Sequence, residues 1–264
     1  MNPLNFLTDL SEMQIKELKR LIQGPLAVSW SRQYLEAAFG SRLGAIVFDR
    51  LVELSEQGWN RTQIFMLLDL FNKGRSQAEE SFSWVVTGAT VPDLPSRDTG
   101  VVFRSVVESA KREIMLVSFA LYNGKELLAP IHKKTLEIPG FKVRMILDVS
   151  RNRGDASLSS EIVTRFKHEF KERHWPGEPW PELYYDPRGL ESDPQKKAVV
   201  HAKCLIADEH TAFVTSANLT EAAQEKNVEV GVLIKDSVKV RQLKDYFISL
   251  IDGSFSRIPL EFEG

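Results

Sequence analysis

From Thr99 to the C-terminus, short β-branched apolar runs alternate with longer stretches of helical periodicity, and few architectures accept that alternation. Helix is expected at Thr99 to Arg112, Glu126 to Leu136, near Leu158 to Arg173, and at Val238 to Leu250. Strand is expected at Glu113 to Phe119, Lys142 to Asp148, Leu183 to Tyr185, Lys203 to Ala207, Ala212 to Thr215 and Val228 to Ile234. The first of these form a βαβ unit, so the segment reads as an α/β domain. No internal repeat is evident, and this bears on the function below.

Residues up to about 80 have a different texture. Ser11 and Gln14 are spaced as a capping box, and Met13, Ile15, Leu18, Leu21 and Ile22 follow at helical spacing until Gly24-Pro25. A second helix is expected from Ser31 to Phe39. A third runs from Ser41 to Glu56, with Leu43, Ile46, Val47, Leu51 and Leu54 on one side and Gly58 closing it. Asn60 with Gln63 caps a fourth, which carries Ile64, Phe65, Leu67, Leu68 and Phe71. The expected organisation is a small all-α domain over 1–82, a linker with a short strand (Trp84-Val85-Val86) over 83–98, and the α/β domain over 99–264.

The chain has 264 residues and a formal net charge of -2, so any site for a polyanion must be local. Its single cysteine, Cys204, excludes an internal disulfide framework and lies in an apolar run, where burial is expected. A reducing, cytoplasmic compartment fits. Residues 1–10 lack a basic start followed by a long apolar stretch, and no window holds eighteen uncharged apolar residues; neither secretion nor membrane spanning is expected.

The chemistry concentrates in His201-Ala202-Lys203-Cys204-Leu205-Ile206-Ala207-Asp208. Two residues apart at the start of a strand, His201 and Lys203 project from one face. An imidazole nucleophile beside an ammonium suits an anionic target, with the lysine holding a phosphate oxygen as the histidine attacks phosphorus. Ser216 and Asn218, at the turn after the next strand, can donate to phosphoryl oxygens. Glu229 sits in an otherwise apolar strand, where a carboxylate needs a partner, and the second ring nitrogen of His201 is the expected one.

In order and spacing, His201, Lys203, Asp208, Ser216, Asn218 and Glu229 resemble the phospholipase D superfamily, whose signature is H-x-K-x4-D, then G/S-S-x-N, then an acidic residue. Thr215 departs from the glycine often found before the serine. The likeness runs from about residue 97 to the C-terminus, with Ser118-Phe119-Ala120-Leu121 and Val143 to Asp148 similar to the opening βαβ. It implies a phospholipase D-like α-β-α sandwich and a phosphodiesterase needing neither cofactor nor catalytic metal. It also implies a phosphohistidine intermediate resolved by water or an alcohol, while a second histidine protonates the leaving oxygen. The implied catalytic set is His201, Lys203, Asp208 and Glu229, with Asp208 supporting the site rather than reacting; Lys203, Ser216 and Asn218 bind the phosphate.

Family members of this kind bring two motif copies together. None of His132, His168, His174 or His210 begins a second copy, so the resemblance implies a two-fold homodimer that completes the site. Trp84-Val85-Val86-Thr87-Gly88 and Arg97-Asp98-Thr99 further resemble the phospholipase D-like proteins of the DISARM anti-phage defence system. That likeness implies nucleic acid as substrate and other DISARM proteins as partners.

Other groups have two readings. Arg151, Arg153, Arg188, Lys196 and Lys197 lie in loops after strands, as contacts for a nucleic-acid backbone or a lipid headgroup, or as solvated loop charges. Trp175, Trp180, Tyr184 and Tyr185 serve base stacking or packing, packing being the more common. His168 and His174, among Lys167, Lys171, Glu172 and Arg173, read as a solvated helix end, and His210 as a surface turn. Three functions are therefore carried forward: a nuclease in anti-phage defence, a phospholipase or transphosphatidylase, and a non-catalytic DNA-binding defence subunit.

Overall fold

The computed structural model describes residues 4–23, 31–88, 98–218 and 227–261. Gly24-Pro25, Pro92, Pro95 and Arg97 of the sequence reading lie outside them. The chain divides into two compact units, Met1–Glu80 and Ser81–Gly264.

In the first unit a 3-10 turn at Asn5–Asp9 precedes four helices: α1 (Glu12–Gln23), α2 (Arg32–Phe39), α3 (Ser41–Glu56) and α4 (Arg61–Glu80). Both expected capping boxes form. Gln14 N donates to Ser11 Oγ (3.2 Å) as Ser11 N donates to Gln14 Oε1 (2.8 Å), and Asn60 and Gln63 exchange the same pair of bonds at 2.9 Å. Gly58, at φ +89°, ends α3, its N–H bonding Ser55 O while Trp59 N bonds Leu54 O. Ile15, Leu18, Leu35, Val47, Leu51, Leu54, Ile64 and Leu68 form the core. Helices α2 and α3 approach closely at Gly44, where a Cβ would lie 2.4 Å from Leu35 O. Met13 and Ile46, expected on the buried stripes, face solvent instead at 80% and 38% exposure; Ile15 and Val47 occupy the inward positions.

The second unit is built on an eight-stranded sheet. Its strands are β1 (Phe82–Thr87), β2 (Glu113–Ser118), β3 (Lys142–Leu147), β4 (Glu182–Tyr185), β5 (Cys204–Ala207), β6 (Thr211–Thr215), β7 (Glu229–Ile234) and β8 (Ser256–Ile258), in the order β1-β7-β6-β5-β2-β3-β4-β8. β2, β3 and β4 are parallel, and every other pairing is antiparallel. The short strand expected within a linker is β1, paired with β7 along its whole length from Phe82↔Ile234 to Thr87↔Glu229. It belongs to the sheet. β8, which the sequence reading lacks, closes the other edge against β4.

Period-two alternation divides the sheet residues between two cores. Ile114 and Leu116 of β2, with Leu205 and Ala207 of β5, face α5 (Thr99–Ser109), α6 (Gly124–Glu137) and α7 (Ser159–Glu169). Met115, Val117, Cys204 and Ile206 face α8 (Ser237–Gly253) through Val240 and Phe247. This is the expected α-β-α sandwich, preceded in sequence by an all-α unit. No helix among the described residues is long and apolar enough to cross a membrane.

The helix expected to reach Arg173 stops at Glu169 and continues as one π-helical turn, Phe170–His174. That change of pitch turns His174 inward. It is 7% exposed, and its Nδ1 accepts from Gly124 N at 3.3 Å, so the solvated-face expectation for it is corrected. Desolvation holds its pKa below the usual 6.5; Glu169 opposes the shift and Arg173 adds to it. His168 is exposed, as expected.

Candidate active site

One edge of the sheet collects the ends of several strands. β2 and β3 finish there, β6 finishes at Thr215, β5 begins after Lys203, and β7 begins at Glu229. Antiparallel pairing of β2 with β5 sets Val117 opposite Cys204, which brings Phe119 beside the chain that carries His201 and Lys203. The carboxyl ends of parallel strands are where open sheets hold ligands.

His201 and Lys203 lie just before β5 rather than within it. Lys203 is 8% exposed, while His201 is open to solvent. The ammonium lies 3.2 and 3.3 Å from the two ring nitrogens of His201 and donates to His201 O at 2.8 Å. The ring of Phe119 stands 4.8 Å from the imidazole, centroid to centroid, and 5.4 Å from Lys203 Nζ. Desolvation lowers the Lys203 pKa, and the Glu229 carboxylate pulls the other way. A buried cation paired with an exposed imidazole suits attack on an anion arriving from solvent.

Glu229 does not hold the imidazole. Among the described residues its carboxylate accepts from the Ser216 hydroxyl, by a short bond, and from Asn227 Nδ2 at 3.3 Å. Ser216 Oγ in turn accepts from Val230 N at 3.2 Å. With both capacities used, the Ser216 hydroxyl ties β6 to β7 instead of standing free as a phosphate donor. In this structure the partner that a carboxylate on this strand requires is the serine of the neighbouring strand, where the sequence suggested the ring of His201. Asn218 remains available, its Oδ1 buried and without a hydrogen-bond partner among the described residues. Thr215 fits because Gly231 stands opposite it across β6–β7; a Cβ there would come within 2.7 Å of Val214 O and 3.0 Å of Thr215 Cβ.

Asp208 stands apart from the histidine–lysine pair. Four residues of extended chain lie between it and Lys203, so that five strand rises, roughly 16 Å, separate the two. At φ +53° it turns β5 into β6 at the far edge of the sheet. Its carboxylate accepts from Lys111, Arg112 and Glu113 N at 3.0, 2.9 and 3.0 Å. Burial pushes its pKa up, but the three amides and the Arg112 charge outweigh burial and hold it below the usual value. In this structure it clamps the α5–β2 turn, at a distance from the His201–Lys203 pair that it was expected to support.

Two residues passed over in the sequence serve this edge. Phe119 is one. The other is Asp148, whose carboxylate accepts from Val200 N at 2.9 Å and Ser150 Oγ at 2.6 Å, fixing the chain one residue before His201. A carboxylate ending a parallel strand was the available signal.

The loop cations split. Arg151 bonds Leu190 O, Asp155 O, Ser157 O and Ser159 Oγ, Lys197 bonds Arg151 O, and Arg188 pairs with Asp186. Arg153 and Lys196 are exposed. Trp175 is fully buried and stacks on Phe170, while Trp180 and Tyr185 pack against the same core, so packing accounts for these aromatics. Tyr184 OH bonds Glu182. His210 is exposed in the β5–β6 turn, near Ser237 Oγ at 3.1 Å. Cys204 is buried, its thiol pushed up to about 12 by desolvation, which leaves it unreactive.

A three-layer sandwich with a histidine–lysine pair at the carboxyl edge of its sheet defines a phospholipase D-like domain, and the chain belongs to that family: residues 103–251 match the model described as "Cardiolipin synthase, PLD-like domain". More particularly, it is similar to the DISARM protein DrmC of Bacillus paralicheniformis, 27% identical over 209 residues that span 78% of each chain. Among solved structures it is similar to Nuc, a phospholipase D family member from Salmonella typhimurium (19% identity, 67% of this chain and 98% of that one, TM-score 0.41). It is also similar to NucT from Helicobacter pylori (16%, 66% and 98%, TM-score 0.42).

Proposed function

We propose that the protein is a metal-independent phosphodiesterase acting on nucleic acid in the cytoplasm, in anti-phage defence. The observation that carries the reading is the exposed imidazole of His201 with the desolvated Lys203 ammonium 3.2 Å from it. In the reaction we infer, a ring nitrogen of His201 attacks phosphorus, the P–O bond to the leaving group breaks, and Lys203 with Asn218 takes the charge on the non-bridging oxygens. Water then attacks the phosphohistidine, and the imidazole is released.

The leaving oxygen needs a proton that the attacking imidazole cannot give. No second imidazole of this unit stands at the edge among the described residues, since His132 bonds Glu178 O, His168 is exposed on α7, His174 is buried against Gly124, and His210 lies at the far edge. His201 of a second copy, brought in by a two-fold axis, supplies it. Similarity to a DISARM protein favours defence, with other DISARM proteins as partners.

The test is purified protein, with EDTA present, incubated with single- and double-stranded DNA, RNA and phosphatidylcholine vesicles beside His201→Ala. Cleavage of nucleic acid that the substitution abolishes supports the reading. Lipid turnover, binding without turnover, or activity lost to EDTA contradicts it. Mixed dimers with one substituted subunit are expected to be severely impaired, and a strict, fully active monomer would remove the second imidazole from the mechanism.

A further inference from the structure

Two short elements of the sequence, Thr87-Gly88 and Asp98-Thr99, take no part in the chemistry described so far. They meet at the N-terminus of α5. Asp98 caps the helix, its carboxylate accepting from Gly100 N at 2.9 Å and Val101 N at 3.2 Å, while Thr99 N donates to Thr87 Oγ1 at 3.1 Å. The backbone of Thr99 is thus held from both sides, and its side chain has no rotational task in the cap. Yet Thr99 is 2% exposed and its Oγ1 has no hydrogen-bond partner among the described residues. A buried hydroxyl left in that state is destabilising, which makes it a signal.

Oγ1 belongs to a residue lining a cavity of about 20 Å³ between α5 and the sheet, shared with Lys203, Asn218 and Ser118. A space of that size has room for about one oxygen atom, of a water or of a phosphoryl group, since one water needs roughly 10–15 Å³ by the same measure. Phe103, Leu116 and Phe213 also line it, so part of its wall is apolar. Ser118 donates its hydroxyl away, to Ala120 O at 2.9 Å. The groups left for an occupant are the hydroxyls of Thr99 and of Thr215, whose Oγ1 accepts from Ala217 N, with the Asn218 amide and the Lys203 ammonium. Asn218 Oδ1 is itself orphaned, and a half-turn of the amide exchanges that acceptor for its two N–H donors.

We propose that this cavity seats one non-bridging phosphoryl oxygen and that Thr99 donates to it, a phosphate contact contributed by the helix that precedes the sheet. The proposal rests on the phosphodiesterase reading above and adds a residue to it. The Asp98 carboxylate, exposed at the helix cap, repels a whole phosphate at the helix end, which leaves the oxygen-sized cavity as the point of entry.

The test is the full chain with Thr99→Val and Thr99→Ser, using bis(4-nitrophenyl) phosphate for turnover, inorganic phosphate for binding, and thermal unfolding as the control. Valine keeps the volume and deletes the orphaned hydroxyl, so Thr99→Val is expected to unfold at the same temperature or higher while kcat falls about 100-fold, as for one lost oxyanion donor, and phosphate binds at least tenfold more weakly. Thr99→Ser restores both. Unchanged kcat and phosphate binding in Thr99→Val would overturn the proposal, as would a loss of activity that only follows a lower unfolding temperature. If the wild type turns over no diester yet binds phosphate in a Thr99-dependent way, the oxygen seat stands and the catalytic reading falls.

Discussion

The two ends of β5 carry the two halves of one eight-residue motif, and they are built in opposite ways. At one end Lys203 is desolvated, His201 is exposed, and Asn218 and Thr99 hold unmatched polar atoms. At the other, Asp208 is buried with its charge matched by three backbone amides. On the proposed reading, groups unsatisfied among the described residues at one edge serve a ligand, while saturated groups at the other fix the turn between β5 and β6. A contiguous motif is therefore two devices, one chemical and one architectural, about a strand length apart.

Substitutions should separate them. The largest effect is expected from His201→Ala, a loss of turnover of about 10⁴-fold or more with no change in unfolding temperature, measured on nucleic acid and by calorimetry. Lys203→Met follows, with turnover down by about 10²–10³-fold and stability unchanged or raised, because a desolvated ammonium is replaced by an apolar chain of similar length. Parallel losses of stability and turnover in either variant would erase the distinction between the edges.

Asp208→Ala is the reverse case. Stability is expected to fall by about 1–3 kcal/mol as three part-buried amides lose a charged acceptor, while turnover per folded molecule stays at the wild-type level. A tenfold drop in that normalised rate would return Asp208 to the chemistry. Asp208→Asn, which tolerates the left-handed backbone and keeps one acceptor, costs less.

The far edge also has a pH signature. Because the folded pKa of Asp208 lies below the unfolded value of 3.8, its contribution is fully present above about pH 3.8 and is lost as pH falls through the folded pKa. Denaturant titrations are expected to show this acid-side slope reduced in Asp208→Asn. The smallest effect belongs to Arg153 and Lys196: replacing both with alanine should weaken nucleic-acid binding only a few-fold at low salt and not at all at high salt.

Much of the architecture could be read from periodicity, since the strands and helices after Thr99 bury two alternating faces or one stripe. β8 escaped because Ser256–Ile258 is three residues long with Arg257 at its centre, too short for any period to register. β1 was visible as a strand but not as part of the sheet; its partner β7 lies some 150 residues away, and only tertiary pairing reveals it. His174 was misread because a charge-rich run predicts a solvated helix face only while the helix keeps its pitch, and the π turn alters it.

Within the site, His201, Lys203 and Asn218 were legible because their chemistry has few other uses at that spacing. The partners were not. Nothing in the sequence distinguishes a Glu229 that holds an imidazole from one that holds Ser216, nor shows that Thr99 and Asn218 share a cavity, because those facts depend on side-chain direction at the ends of strands.

The most direct test of His201 as nucleophile is intact-protein mass spectrometry after rapid alkaline quenching of a reaction with a short oligonucleotide. A covalent nucleotidyl adduct is expected on the wild type, mapping to His201 and missing from His201→Ala; steady turnover with no adduct, or an adduct on any other residue, would contradict the account.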